Sequence, residues 1–286
     1  MNKKISAYIE MTKPRIMTLV LVTAALGYYL GGQGINSWVT LIFLLIGSGC
    51  VCAGSAVLNN YLERDYDALM NRTKSRPIPA GIITPNQALQ FGIIITLIGL
   101  FVLYVKTNVL TAFLSLLTTF LYVLVYTPMK RVSWFNTTVG AIPGAIPPLG
   151  GWAAATGTLN FDAGMLFLIL FIWQHPHFYA IAWMLKEDYE RGGFQMLPSE
   201  SNGLTRTRNQ ILWYSMILVP ISIIPSFIGL SGYIYCVGSL IAGMLLFYTS
   251  LTFIKSGSID DARNLLKATV YYLPVLLLLI IIDVQF

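Results

Sequence analysis

Nine apolar runs, each near the length of a bilayer crossing, set the limits on what this 286-residue chain can fold into. A helix needs about 20 residues to traverse the hydrocarbon core of a membrane. The runs cover roughly 16–33, 38–58, 89–106, 108–126, 135–154, 162–185, 210–230, 232–254 and 269–284. They predict an all-α integral membrane protein, a bundle of nine transmembrane helices with 1–286 as one domain. Composition agrees: 56% of residues are hydrophobic, 10% are charged and the mean hydropathy is +0.70, which leaves too little charge to cover a soluble surface. The first run lacks a small-x-small cleavage site and leads into further spans, so it reads as a span and not a removed signal. No Arg/Ser-rich presequence precedes it, which favours a bacterial plasma membrane over an organelle.

The basic residues agree with this count of spans. If the spans alternate, 17 of the 18 lysines and arginines fall on one side and only Lys106 on the other. The positive-inside rule then places the N-terminus and the basic loops in the cytoplasm and the C-terminus outside. The pI near 9.2 follows from that loop bias. Outside the loops there is no basic helix or aromatic-laced basic patch, so nucleic acid is not an expected partner. Cys50 and Cys52 alternate within an apolar run and read as small packing residues. Two cytoplasmic connections are long, near 61–88 and 186–209, and each follows or contains a set of acids. An elaborated side of this kind is where function is expected.

The first of these connections opens with "LNNYLERDYDALMNRTKSRPIPAG" (58–81), which holds a quarter of the 12 acids in the chain. Asn59, Glu63 and Asp67 are spaced by four. On a helix each such step turns about 40° and rises about 6 Å, so the three share one face while Asp65 projects from nearly the opposite side. Oxygen-bearing side chains on one face suit a hard divalent cation such as Mg²⁺, which commonly bridges carboxylates to substrate phosphates. Arg72, Lys74 and Arg76 follow, with donors suited to the outer oxygens of a diphosphate. "TKPRI" (12–16) and "YTPMKR" (126–131) add Lys13, Arg15, Lys130 and Arg131 at the same side of the membrane. An interfacial loop whose acids and bases simply pair accounts for the same residues. Acids entering a membrane bundle are costly, however, and tend to be functional.

"WQHPHFYAIAWMLKEDYERGGFQMLP" (173–198) holds both histidines. His175 and His177 lie about 160° apart on a helix, an arrangement that does not serve one metal. His177 and Asp188 share a face if the helix persists, as do His175, Tyr179 and Lys186. Hydrogen-bonded structural histidines and a binding site are both open readings. Glu187, Asp188 and Glu190 read equally as a second cation position, a base, or solvated loop charges.

The first cluster resembles the aspartate-rich motif of the UbiA-type intramembrane prenyltransferases, N-x-x-x-D-x-x-x-D, with Glu63 in place of the middle aspartate. Within that superfamily, "TKPRI", "NNYLERDYDALMNRTKSRP", "AIPPLGGW", the H-P-H-F element and "KATVYYLPVLLLL" resemble the protoheme IX farnesyltransferase (heme O synthase) family over nearly the whole chain. Relatives acting on quinone precursors carry a second D-x-x-x-D-like motif where this chain has "KEDYE". The resemblance implies a nine-helix bundle with a cavity open to membrane lipid. It implies farnesyl diphosphate as donor, its diphosphate held through Mg²⁺ on Asn59, Glu63 and Asp67 and by the bases Lys13, Arg15, Arg72, Lys74, Arg76, Lys130 and Arg131. Heme b would be the acceptor, near His175, His177 and Tyr179. The chemistry itself leaves Asp188 or a histidine as candidates to activate the final water, and a histidine to bind the heme iron or a propionate instead. Heme A synthase and terminal-oxidase assembly proteins are the protein partners it implies. Three rivals stand beside it: a quinone-pathway prenyltransferase, a non-catalytic heme-binding assembly factor, and a transporter. Transporters tend to put such carboxylates near the midplane, whereas these acids cluster at one membrane face.

Overall fold

The computed structural model describes residues 3–285, and they are almost entirely helical. The helices are α1 (Lys3–Met11), α2 (Pro14–Gly31), α3 (Trp38–Asp67), α4 (Pro85–Lys106), α5 (Val109–Thr119), α6 (Thr127–Met129), α7 (Asn136–Ala145), α8 (Pro147–Thr156), α9 (Phe161–Met184), α10 (Lys186–Arg191), α11 (Gly203–Phe227), α12 (Tyr233–Ser256) and α13 (Ile259–Ile282). A π-helical stretch, Phe120–Tyr126, joins α5 to α6, so that Val109–Met129 is one continuous rod. Among the described residues, eight unbroken helices are long and apolar enough to cross a membrane.

The ninth expected span, 135–154, is the broken pair α7 and α8. The break falls where Pro147 offers no N–H to the helical ladder. Other boundaries follow from caps. Ser37, Asn108 and Asn160 each accept a backbone N–H of the first turn of α3, α5 and α9. Thr84 and Gln87 form a reciprocal capping box at the start of α4. Ser258 caps α13 and puts Asp260 and Asp261 in its first turn, so this helix starts ten residues ahead of the expected 269. At its other end α3 departs by nearly as much, continuing past the end of its apolar run at 58 as far as Asp67.

Two compact units divide the chain. The first runs to Leu159 and adds Glu187–Phe194; the second holds Asn160–Lys186 and the chain from Gln195 onward. In the first unit α3 packs along α4, and α2 along α8. Tyr28, Leu44, Val51 and Leu103 are buried in one core cluster and Met11, Val57, Ile83 and Ala88 in another. The α2–α8 contact is backbone on backbone: a Cβ added at Gly151 would overlap the Ala24 carbonyl, and one at Gly27 would overlap the Pro148 carbonyl. With lipid as apolar as leucine, such close approach is a main source of helix–helix attraction in membranes. In the second unit α11 packs on α9 and α12, and α13 on α9 and α12. Hydroxyl pairs join these helices, Ser215 with Ser250 at 2.8 Å and Ser222 with Tyr272.

Gly151→Val should wedge α8 off α2 and destabilise the fold by about 1–3 kcal/mol. Thermal unfolding in detergent checks this; an unchanged midpoint would mean that the two helices do not meet through their backbones.

Candidate functional site

The polar end of α3 is buried. Asn59, Glu63 and Asp67 are 1%, 5% and 0% exposed, whereas Asp65 on the other face has 73% of its side chain exposed and pairs loosely with Arg64. Burying an unpaired carboxylate is expensive, so each one must recruit a cation. Three separate segments of the first unit supply them. Lys130 donates to Glu63 Oε1 at 2.7 Å, and Arg76 to Asp67 Oδ2 at 2.6 Å. Lys13 donates to Asn59 Oδ1 at 2.8 Å. The Asn59 amide in turn donates to the Thr127 hydroxyl, which donates to the Tyr122 carbonyl five residues back at 2.8 Å. That five-residue reach is the π-helical spacing, and it turns Thr127 and Lys130 toward α3. Thr73 closes the other side by donating to the Asp67 carbonyl.

Lys13 sits in the left-handed region (φ 51, ψ 59) directly before Pro14. This conformation is uncommon for a side-chain-bearing residue and costs on the order of 1–3 kcal/mol. Burial, together with the neighbouring Arg76 and Lys130 charges, pulls its ammonium down to about 7. Burial also works against the Lys130 charge, but the Glu63 carboxylate outweighs it and holds that ammonium above its ordinary range. Two carboxylates face three cations here, so the cluster carries one positive charge in excess when all are ionised. Lys130 also lies over the Tyr126 ring (4.6 Å) and near Phe194 (5.8 Å).

Not all expected bases join the cluster. Arg15, Arg72, Lys74 and Arg131 are exposed. Lys74 bonds to the Asn71 side chain, and Arg131 stacks over Tyr66 at 4.2 Å. Asp188 is already engaged in the structure. Its two oxygens accept the backbone N–H groups of Asn71 and Arg72 (2.8 and 3.2 Å) and the Arg191 guanidinium (2.8 Å), so it anchors the segment 187–194 on the 71–72 turn. Thr127 and Thr73 join the cluster without a signal in the sequence. Thr127 lies inside "YTPMKR", but no residue spacing there points to a bond with Asn59, 68 residues away.

The donor set at the end of α3 is all oxygen, the chemistry a hard divalent cation takes. Asp67 Oδ1 is buried with no hydrogen-bond partner, an orphaned acceptor that fits such an ion. Glu63 and Asn59 would have to exchange their lysines for it. Among the described residues no three His, Cys, Asp or Glu side chains converge, so an ion held here would have only two carboxylates and an amide from the protein.

The histidines belong to the second unit. α9 ends at Met184, so the shared faces of His177 with Asp188 and of His175 with Lys186 do not form. His175 is 0% exposed, bonds through Nδ1 to the Phe171 carbonyl (2.8 Å), and stacks on Tyr214 with ring centres 3.7 Å apart. Tyr179 is buried too. His177 is half-buried, stacked on Trp173 (5.1 Å) and bonded through Nδ1 to Thr269 Oγ1 at 2.9 Å.

With this geometry in hand, comparison with known proteins is decisive at the level of family. The sequence pattern of the UbiA prenyltransferase family matches residues 20–273. The chain belongs to this family. A protein named protoheme IX farnesyltransferase from Solibacter usitatus is 42% identical, with 96% of this chain and 98% of that one covered. One of the same name from Cytophaga hutchinsonii is 35% identical, with 99% of each covered. In structure the chain is similar to a digeranylgeranylglyceryl phosphate synthase (TM-score 0.83, 18% identity, 98% of each chain). It is also similar to a UbiA homolog from Archaeoglobus fulgidus bound to GPP and Mg²⁺ (TM-score 0.68, 15% identity, 96% of this chain and 99% of that one). These two likenesses establish the shared fold.

Lys130→Met should strand the buried Glu63 carboxylate and cost roughly 3 kcal/mol. Adding Glu63→Gln should recover most of that loss. Unfolding midpoints of the two single variants and the double variant check the coupling; strictly additive losses would mean the pair is not energetically linked.

Proposed function

We propose that this protein transfers a farnesyl group from farnesyl diphosphate to a vinyl group of heme b, giving the hydroxyethylfarnesyl side chain of heme O. The observation that carries the reading is the near full-length similarity to proteins named protoheme IX farnesyltransferase. The three bases gathered in the first unit support the donor half, since they are opposite in charge to a diphosphate.

The diphosphate binds Lys13, Arg76 and Lys130, with the exposed Arg15, Arg72, Lys74 and Arg131 as outer contacts. Asn59, Glu63 and Asp67 would hold Mg²⁺. That ion, when bound, neutralises charge on the diphosphate and makes it a better leaving group. The protein's own contribution is an exchange of partners. Arg76 and Lys130 leave Asp67 and Glu63 for phosphate oxygens, and the freed carboxylates become available to the cation. The same three bases stabilise the charge that develops as the C1–O bond breaks. The resulting allylic cation is attacked by the electron-rich vinyl group, and the porphyrin stabilises the new cation. Water captures it and releases a proton to solvent or to the departing diphosphate. Apolar walls delay capture of the first cation by water. Ionisation and carbon–carbon bond formation need no general base. The acceptor lies by His177. The protein works in a bacterial plasma membrane, with the α3 acids toward the cytoplasm and the C-terminus outside.

Purified protein in lipid, given Mg²⁺ and farnesyl diphosphate together with either hemin (reduced in situ) or 4-hydroxybenzoate, should prenylate only the heme. Asp67→Asn should lower turnover at least 100-fold, an effect of about 2.7 kcal/mol on the barrier, and leave heme binding within twofold. Prenylation of the benzoate alone would move the protein to quinone chemistry, and undiminished turnover by Asp67→Asn would remove Asp67 from the metal site.

A further inference from the structure

We infer that Thr269 is a positioning residue for His177: it fixes the imidazole as the Nδ1–H tautomer and so leaves the Nε2 lone pair as the nitrogen that meets the heme. The inference deepens the heme reading above and rests on it for the identity of the ligand.

The argument is a count of hydrogens. A threonine hydroxyl has one hydrogen to donate and two lone pairs to accept with. Thr269 Oγ1 lies 2.7 Å from the Leu266 carbonyl oxygen, one turn back on α13. Two oxygens at that distance repel unless a hydrogen lies between them, and a carbonyl has none to give. The Thr269 hydrogen is therefore spent on Leu266. His177 Nδ1 lies 2.9 Å from the same Oγ1, which has only lone pairs left to offer. The proton of that bond must come from Nδ1. In a neutral imidazole the other nitrogen, Nε2, is then the unprotonated one.

Further contacts hold the ring and its partner still. Trp173 Nε1 donates to the Thr269 backbone carbonyl at 2.9 Å, tying α9 to α13 beside the histidine. The Trp173 ring stacks on His177 at 26° between planes, and Phe178 meets it edge-on at 5.3 Å. Thr269 is fully buried, so water does not compete for its hydroxyl. His177 is half-buried, whereas His175 is fully enclosed and stacked face to face on Tyr214. The two histidines thus divide their work: His175 packs, and His177 offers a base. A neutral imidazole whose far nitrogen donates to an oxygen is the arrangement that orients histidines toward metals, and loss of such a partner typically lowers affinity about 10- to 100-fold. Heme iron, the metal of the substrate, is what Nε2 suits here.

The full chain labelled with ¹⁵N-histidine contains only two imidazoles, which makes the test direct. Without heme, proton–nitrogen correlation spectra in micelles should show the His177 Nδ1 protonated and Nε2 bare, with His177→Gln identifying the signals. Thr269→Val should abolish the Nδ1–H preference and weaken hemin binding, read from the Soret band, about 10-fold or more. Thr269→Ser should restore both, which a mere loss of packing would not allow. A wild-type His177 protonated on Nε2 would overturn the inference whether or not any variant folds. So would Thr269→Val with unchanged spectra and hemin affinity. The expected tautomer in a protein that binds no hemin at all would overturn the heme assignment alone, and with it the proposed acceptor.

Discussion

Two carboxylates buried at the end of one helix govern the first unit. Glu63 and Asp67 have left water, and neither can stay there without a cation. The partners come from sequence neighbourhoods far apart: the turn before α2, the loop after α3 and the end of the α5–α6 rod. Each carries its own local device. Lys13 accepts a left-handed backbone before Pro14, Arg76 enters just ahead of "PIPAG", and Lys130 arrives through a π-helical stretch. The continuation of α3 beyond its apolar run makes sense in the same terms. The helix runs on through Asn59, Glu63 and Asp67, all of them buried, to end at Asp67 itself.

The arrangement is also a resting state with a built-in exchange. Two of the cations proposed for the diphosphate, Arg76 and Lys130, are held by the two carboxylates proposed for the metal. Glu63 and Asp67 are each paired in the structure, and under the proposed function a bound diphosphate and metal would take over both sets of partners together. The cost of burying the charges is thereby met in each state by different partners, which keeps the site organised without presenting bare anions to the membrane interior.

Much of this could be read from the residues. Hydropathy located the eight unbroken spans of the described residues, because lipid imposes length and apolarity strongly, and gave no sign that 135–154 is broken into α7 and α8. The spacing of four in Asn59, Glu63 and Asp67 gave the buried face and the exposed Asp65, because helical geometry is local. Other features were hidden for identifiable reasons. The positive-inside bias puts bases in all these loops, so it could not separate Lys13, Arg76 and Lys130, which reach the acids, from Arg15, Arg72 and Lys74, which stay at the surface. Asp188 looked like a free acid because its partners are backbone groups 116 and 117 residues away. The face joining His177 to Asp188 assumed a helix that stops at Met184. Thr269 was visible only as part of "KATVYYLP"; its bond to His177 spans 92 residues and has no local signal.

The reaction adds farnesyl and water to one vinyl group and releases diphosphate, so its product differs from heme b by the elements of farnesol. Mass spectrometry of hemes extracted from a heme O-deficient bacterium carrying this chain reads that difference. The account predicts a new heme of that added mass, present with the wild-type chain and absent with the empty vector. A heme pool containing only heme b, in cells shown to hold the folded protein in their membranes, would contradict it.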